Sequence, residues 1–185
     1  MYYLAYGSNL HPYRLQQRVP SAHPLGVASL RGLRLEFQKR SRDGSAKCMY
    51  VESGASNDVL YTAVYRIAEK EKPTLDAIEG LGQGYDEAWH RVRLGDAALD
   101  AFAYAANPSY VEPGLRPYDW YRDMVLLGAG YHDLPTTLID AIRSVATVPD
   151  PDPARAEKKS GLCARMRDIN ESRGRDLTTT VIPIL

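Results

Sequence analysis

The chain has 185 residues, enough for one domain with a sizeable core and an appendage. Its 23 basic and 23 acidic residues cancel, so no global field draws it to nucleic acid or to an anionic membrane. Hydrophobic residues at 44% and charged residues at 25% suit a globular protein; no run reaches transmembrane length, and Met1 leads into a strand rather than a signal peptide, so a cytoplasmic location is expected.

Residues Tyr2 to Tyr6 form a short apolar run ending at Gly7, the pattern of a buried first strand. LHPYRLQQRV follows as a helix, with Pro12 in its first turn and Leu10, Leu15 and Val19 facing inward. AHPLGVASL and LRLEF alternate as two strands around Arg31 and Gly32; RDGSA is a turn, KCMYVES a strand, and DVLYTAVYRI has the β-formers and length of a central strand. The basic cluster from Arg31 to Arg42 is interrupted by apolar residues and reads as a solvated strand face with its following turn. AEKEKPTLDAIEGL then changes period, placing Ile67, Leu75, Ile78 and Leu81 on a helical stripe stopped by GQGY.

EAWHRVRL and ALDAFAYAA are two further strands, and NPSYVEPGLRP is a loop. YDWYRDMVLLGAG and PTTLIDAIRSVA are helices. These elements predict an α+β domain over residues 1–148 whose sheet curls into a barrel. Residues 149–185 read as an extension: PDPDPARAEKKSG as linker or exposed arm, LCARMRDINESRG as a helix, LTTTVIPIL as a strand.

Chemistry concentrates in few places. Cys48 and Cys163 lie far apart and indicate neither a disulfide framework nor a zinc site, and His11, His23, His90 and His132 lack metal-ligand spacing. The turn Tyr6-Gly7-Ser8-Asn9 either joins a strand to a helix or presents backbone N–H groups to an anion. Glu79 closes a helix, where the dipole is negative; that potential and partial burial both make a carboxylate readier to take a proton, although this segment by itself favours a solvated Glu beside a glycine-rich loop. Ser8 is not in a GxSxG elbow and has no evident partners. Thirteen tyrosines fit a polar-lined cavity or a tyrosine-rich core.

Read together, AYGSNL, Glu79-Gly80 with Tyr85, and the late Tyr121, Gly128-Ala129 and Leu134-Pro135 resemble the gamma-glutamylcyclotransferase family, described with the AIG2-like proteins. The resemblance implies a small closed mixed β-barrel with flanking helices and a cavity at one end. It implies that Tyr3, Leu4, Ala5, Tyr6, Gly7, Ser8 and Asn9 hold a γ-glutamyl group, with Glu79 as catalytic acid/base and Tyr121 in contact with substrate. The implied reaction is intramolecular: the substrate's α-amine attacks its own γ-carbonyl, releasing an amine and 5-oxoproline, with no cofactor and no metal. The expected partner is a small γ-glutamyl substrate, with no nucleic acid and no membrane; oligomeric state is open, a homodimer included. Where the family carries an acidic residue after Gly-Ala, this chain has Tyr131. A binding module without turnover, or a hydrolase using Ser8, are the competing readings.

Overall fold

The computed structural model describes residues 1–55 and 57–179, with side chains described to residue 174. Strand β1 (Tyr2–Ala5) runs through the middle of a five-stranded sheet. Tyr3, Leu4 and Ala5 are all buried, so both faces of this strand are covered, as a central strand requires. It pairs antiparallel with β5 (Val59–Arg66) and parallel with β7 (Ala97–Ala106); β2 (His23–Arg31) and β6 (Tyr85–Leu94) complete the order β2-β5-β1-β7-β6. A second sheet is the hairpin of β3 (Leu33–Arg40) and β4 (Ala46–Glu52).

The large sheet curls until its edges meet. At the β2 bulge, a Cβ on Gly26 would stand 2.8 Å from Leu94 Cδ1 of β6, at a φ of +149° that side chains rarely adopt. The seam is therefore closed by packing, with no hydrogen-bonded β2–β6 ladder. The mixed, barrel-like α+β architecture expected from the sequence is the one observed.

Helix α1 (Pro12–Gln16) is shorter than its sequence span, yet Leu10, Leu15 and Val19 are buried as expected. Helix α2 (Lys72–Glu79) starts after a 3₁₀ turn at Glu69–Glu71. Its expected stripe holds only in part. Ile67 and Leu75 are buried, whereas Ile78, at a cavity mouth, and Leu81 are exposed; Ile67 and Leu81 lie outside the short helix, so the stripe does not run along one helical face.

Helix α3 (Asp119–Tyr131) crosses the segment after β1 so closely that a Cβ on Gly128 would stand 2.5 Å from Leu10 Cβ and 2.9 Å from the His11 nitrogen. His11, expected at the surface or core edge, is fully buried. Its Nδ1 accepts from Tyr13 N–H at 3.2 Å to cap α1, leaving Nε2 to donate to Asn170 at 3.1 Å. After α4 (Thr136–Ser144), helix α5 (Pro153–Thr179) replaces the expected linker. Asp152 accepts from Arg155 N–H at 3.0 Å and Pro153 opens the helix, so the Pro-Asp alternation is a helix start. Met166 and Cys163 of α5 are buried in the main core. Of the segment read as a terminal strand, Leu177 to Thr179 belong to α5, and residues 180–185 lie outside the described residues.

Among the described residues, no helix is long and apolar enough to cross a membrane.

Candidate active site

Beyond Ala5 the chain leaves β1 and turns sharply, closed by Leu10 N–H donating to the Gly7 carbonyl at 2.9 Å. Gly7 does not use a positive φ; it is small because Cys48 Cβ and the Tyr121 hydroxyl lie 3.1 and 3.4 Å from where its Cβ would be. Ser8 lines the cavity and has no hydrogen-bond partner among the described residues, so its N–H is unengaged and its hydroxyl has no base. The turn and α2 meet because Asn9, almost fully buried, donates from Nδ2 to Glu79 Oε1 at 2.9 Å and to the Tyr3 hydroxyl at 3.1 Å.

This brings Tyr3, Tyr6, Gly7, Ser8, Asn9, Glu79 and Tyr121 around one inner pocket of about 30 Å³. Leu4 and Ala5 are not in its lining; both are wholly buried in β1, opposite Val64 and Ala63. Cys48, Tyr85 and Tyr104 complete the wall. Tyr131 lines another surface, packed against the His11 ring at 4.8 Å.

Glu79 is not a lone carboxylate. Arg18, which nothing in the sequence marked, donates to the same Oε1 at 2.8 Å and to Asn9 Oδ1 at 3.0 Å. The amide orientation follows: its NH₂ faces the carboxylate and its oxygen faces the guanidinium. Both donors converge on Oε1, and Oε2 has no hydrogen-bond partner among the described residues.

The phenols are set as donors. Burial pushes Tyr3, Tyr85 and Tyr121 well above the usual tyrosine range, so each keeps its proton. Tyr121 Oη accepts from Cys48 N–H at 3.0 Å and also lies against the Cys48 thiol, while Tyr3 Oη accepts from Asn9 and keeps its hydroxyl hydrogen to donate. Tyr85, by contrast, gives its hydrogen to the Cys48 carbonyl at 2.7 Å. Burial holds the Cys48 thiol up at about 12, so it is not a thiolate nucleophile. No group of three His, Cys, Asp or Glu side chains among the described residues is placed to hold a metal ion.

Sharing Ser8, Glu79, Tyr85 and Tyr121 with this pocket is an outer vestibule of about 270 Å³. Its remaining walls come from α1 and the turn after it, the β3–β4 hairpin, the end of α2, α3 and α5.

The sequence matches the family described as gamma-glutamyl cyclotransferase, AIG2-like, over residues 3–122, the span that carries the turn, Glu79 and Tyr121. The chain belongs to that family. Among solved structures, one described as a gamma-glutamyl cyclotransferase superposes with a TM-score of 0.76 at 21% identity, covering 89% of this chain and 98% of its own. The uncharacterized protein loc79017 from Homo sapiens gives 0.76 at 22% identity, covering 88% and 97%. YkqA from Bacillus subtilis gives 0.66 at 21% identity, covering 80% of this chain and 56% of its own. No curated protein matches in sequence. At these identities the likeness to solved structures carries the fold, and membership rests on the family match. Family and fold together support a cyclotransferase-type function.

Proposed function

We propose that the chain is a gamma-glutamylcyclotransferase that cyclises the γ-glutamyl part of an amine or peptide to 5-oxoproline. The observation that carries this reading is the Glu79 carboxylate at the junction of pocket and vestibule. One of its oxygens is tied to Asn9 and Arg18 and the other is unengaged.

In the proposed sequence the substrate's α-carboxylate accepts from Ser8 N–H and the hydroxyls of Tyr3 and Tyr121. The α-ammonium gives a proton to Glu79 Oε2. The freed amine then attacks the γ-carbonyl carbon, forming the ring C–N bond and a tetrahedral oxyanion. Glu79 returns that proton to the leaving nitrogen, and the oxyanion re-forms the carbonyl as the original amide C–N bond breaks. The second proton of the ring nitrogen passes through Glu79 to the departing amine, which leaves as an ammonium. Proton count balances, and no water is consumed. Holding both ends of one molecule supplies much of the rate, because a near-attack geometry removes most of the entropic barrier to ring closure. Asn9 and Arg18 act as positioning residues for the carboxylate.

The test is turnover in heavy-oxygen water. Cyclisation places no solvent oxygen in 5-oxoproline, and acetylating the α-amine abolishes product, since the lone pair is then delocalised into an amide. Free glutamate carrying the heavy label as primary product would replace this reading with a hydrolase, and absence of any turnover across γ-glutamyl compounds would leave a binding module.

A further inference from the structure

The vestibule is far more cationic than a neutral chain leads one to expect. Its lining holds six cations, Arg14, Arg18, Lys39, Lys47, Arg155 and Lys159, against two carboxylates, Asp43 and Glu79. Three of the six are matched: Arg18 by Glu79, Lys47 by Asp43 at 2.7 Å, and Arg155 by Asp150 at 2.5 Å. Among the described residues, Arg14, Lys39 and Lys159 have no carboxylate partner.

Arg14 is the decisive one. It is 6% exposed, and its Nε is a buried donor with no hydrogen-bond acceptor. An unpaired buried donor on a charged group is costly. Burial, with Arg18 alongside, lowers its pKa to about 10. Burial, with Arg14 and Arg18 nearby, lowers Lys159 to about 8. Glu79 and Asp43 act on Arg14 and Lys39 only at longer range, and no carboxylate among the described residues closes an ion pair with any of the three.

Local architecture holds them there. A bulge after Phe37 sets Lys39 opposite Lys47 across the hairpin, a like-charged pairing that strands avoid. Gly84, whose Cβ would lie 2.7 Å from Lys39 Nζ, makes room for that side chain. Aromatic faces form the floor: Lys39 Nζ stands 4.4 Å from the Tyr85 ring centroid, Lys47 Nζ 4.7 Å from Tyr121, and Lys159 Nζ 5.6 Å from Trp120. Past Arg14 and Arg18 the basic lining continues into a groove of about 390 Å³ that adds Lys158 and Arg165.

We infer that the vestibule receives the leaving group, and that this group carries at least two negative charges, as an acidic amino acid or acidic peptide does. The inference rests on the cyclotransferase reading only for the direction in which the substrate lies. With the γ-glutamyl end in the inner pocket, the scissile amide falls at Glu79, and the amine side extends among Arg14, Lys39 and Lys159. A single α-carboxylate satisfies one of these cations. A second anionic group is needed to satisfy the others.

The test uses probes that bind without reacting. Glutaryl-L-glutamate and glutaryl-L-glutamine lack the α-amine, so neither cyclises, and they differ only by one carboxylate in the leaving portion. Calorimetry on the intact chain at low salt is expected to show the glutamate compound binding at least about tenfold tighter, the scale of a charge-assisted hydrogen bond. Raising the salt shrinks the gap. Lys159→Met and Lys39→Gln, each a separate variant whose fold is checked by melting, each reduce it several-fold. Equal affinities for the two probes, or a gap unmoved in both folded variants, overturn the inference. Release of 5-oxoproline from γ-glutamyl-glutamate is measured separately, and its failure would strike the cyclotransferase reading while the binding ratio still decides the vestibule.

Discussion

Five tyrosines and no lysine or arginine line the inner pocket; six cations line the vestibule that opens from it. The inner pocket is lined by neutral groups at fixed positions, phenols among them whose oxygens are already anchored. The vestibule works through net charge on longer side chains standing on aromatic rings. The contrast separates two tasks. A group that must be placed within reach of an attacking amine calls for short, rigid donors, whereas a portion that varies and departs is better held by charge, which tolerates displacement.

The first way to break this division is at its boundary. Glu79→Gln keeps the shape of the junction and removes the base, so kcat is expected to fall about a hundredfold or more with folding unchanged. A near-wild-type rate in the 5-oxoproline assay would remove Glu79 from the chemistry. Next in size is Tyr121→Phe. It deletes one inner donor and leaves the Cys48 N–H without its acceptor, and should cost about tenfold in kcat/KM for acidic and neutral substrates alike. An effect confined to acidic substrates would mean that Tyr121 serves the vestibule.

A smaller effect sharpens the comparison through pH. Lys159 faces Arg14 from α1, Arg18 just past that helix, Lys47 from β4 and Lys158 on its own helix, and burial with these neighbours lowers it to about 8. Below that value it is charged and the preference for an acidic leaving group is complete. Above it the ammonium is lost, and the ratio of kcat/KM for γ-glutamyl-glutamate over γ-glutamyl-glutamine should fall about threefold by pH 9. The inner phenols stay protonated over the same interval, so the ratio isolates the vestibule. A ratio that rises with pH would contradict the assignment. Smallest of all is Ser8→Ala, expected to cost under about threefold in kcat/KM, since the turn offers its backbone N–H and the hydroxyl has no base. Complete inactivation of a folded variant would restore Ser8 as a nucleophile.

Much of the inner pocket was readable because it is made of sequence-local parts. A strand, a turn and a helix end each leave a short pattern, and Tyr6 to Asn9 and Glu79-Gly80 are two such patterns that the fold brings together. The vestibule was not readable in that way. Lys39 and Lys47 lie on strands whose alternation marks faces without saying which face looks into a barrel end. The basic run from Arg31 to Arg42 was therefore read as solvated, although Lys39 is 6% exposed. Arg14 and Arg18 fall three and seven residues after the histidine that caps α1, with no periodic signal to single them out. Lys159 sits on a helix that the Pro-Asp run disguised as linker, and only tertiary packing turns it toward the site. Exposed Ile78 and Leu81 fail for a related reason: helical spacing predicts a stripe, but not how much of it the short helix spans.

Trp120 joins these regions in a way that reaches past binding and rate. It is 5% exposed, its Nε1 donates to Asp150 at 2.8 Å, and its ring on the vestibule floor stands 5.0 Å from Lys47 Nζ and 5.6 Å from Lys159 Nζ. The chain's other tryptophan, Trp89, is 53% exposed on β6, where it lines neither cavity. An anion settling among the lysines changes the electric field across the Trp120 indole and leaves Trp89 unaffected. With Trp89→Phe, the intrinsic fluorescence of the protein becomes a single-site optical gauge of vestibule occupancy, readable in real time without a label.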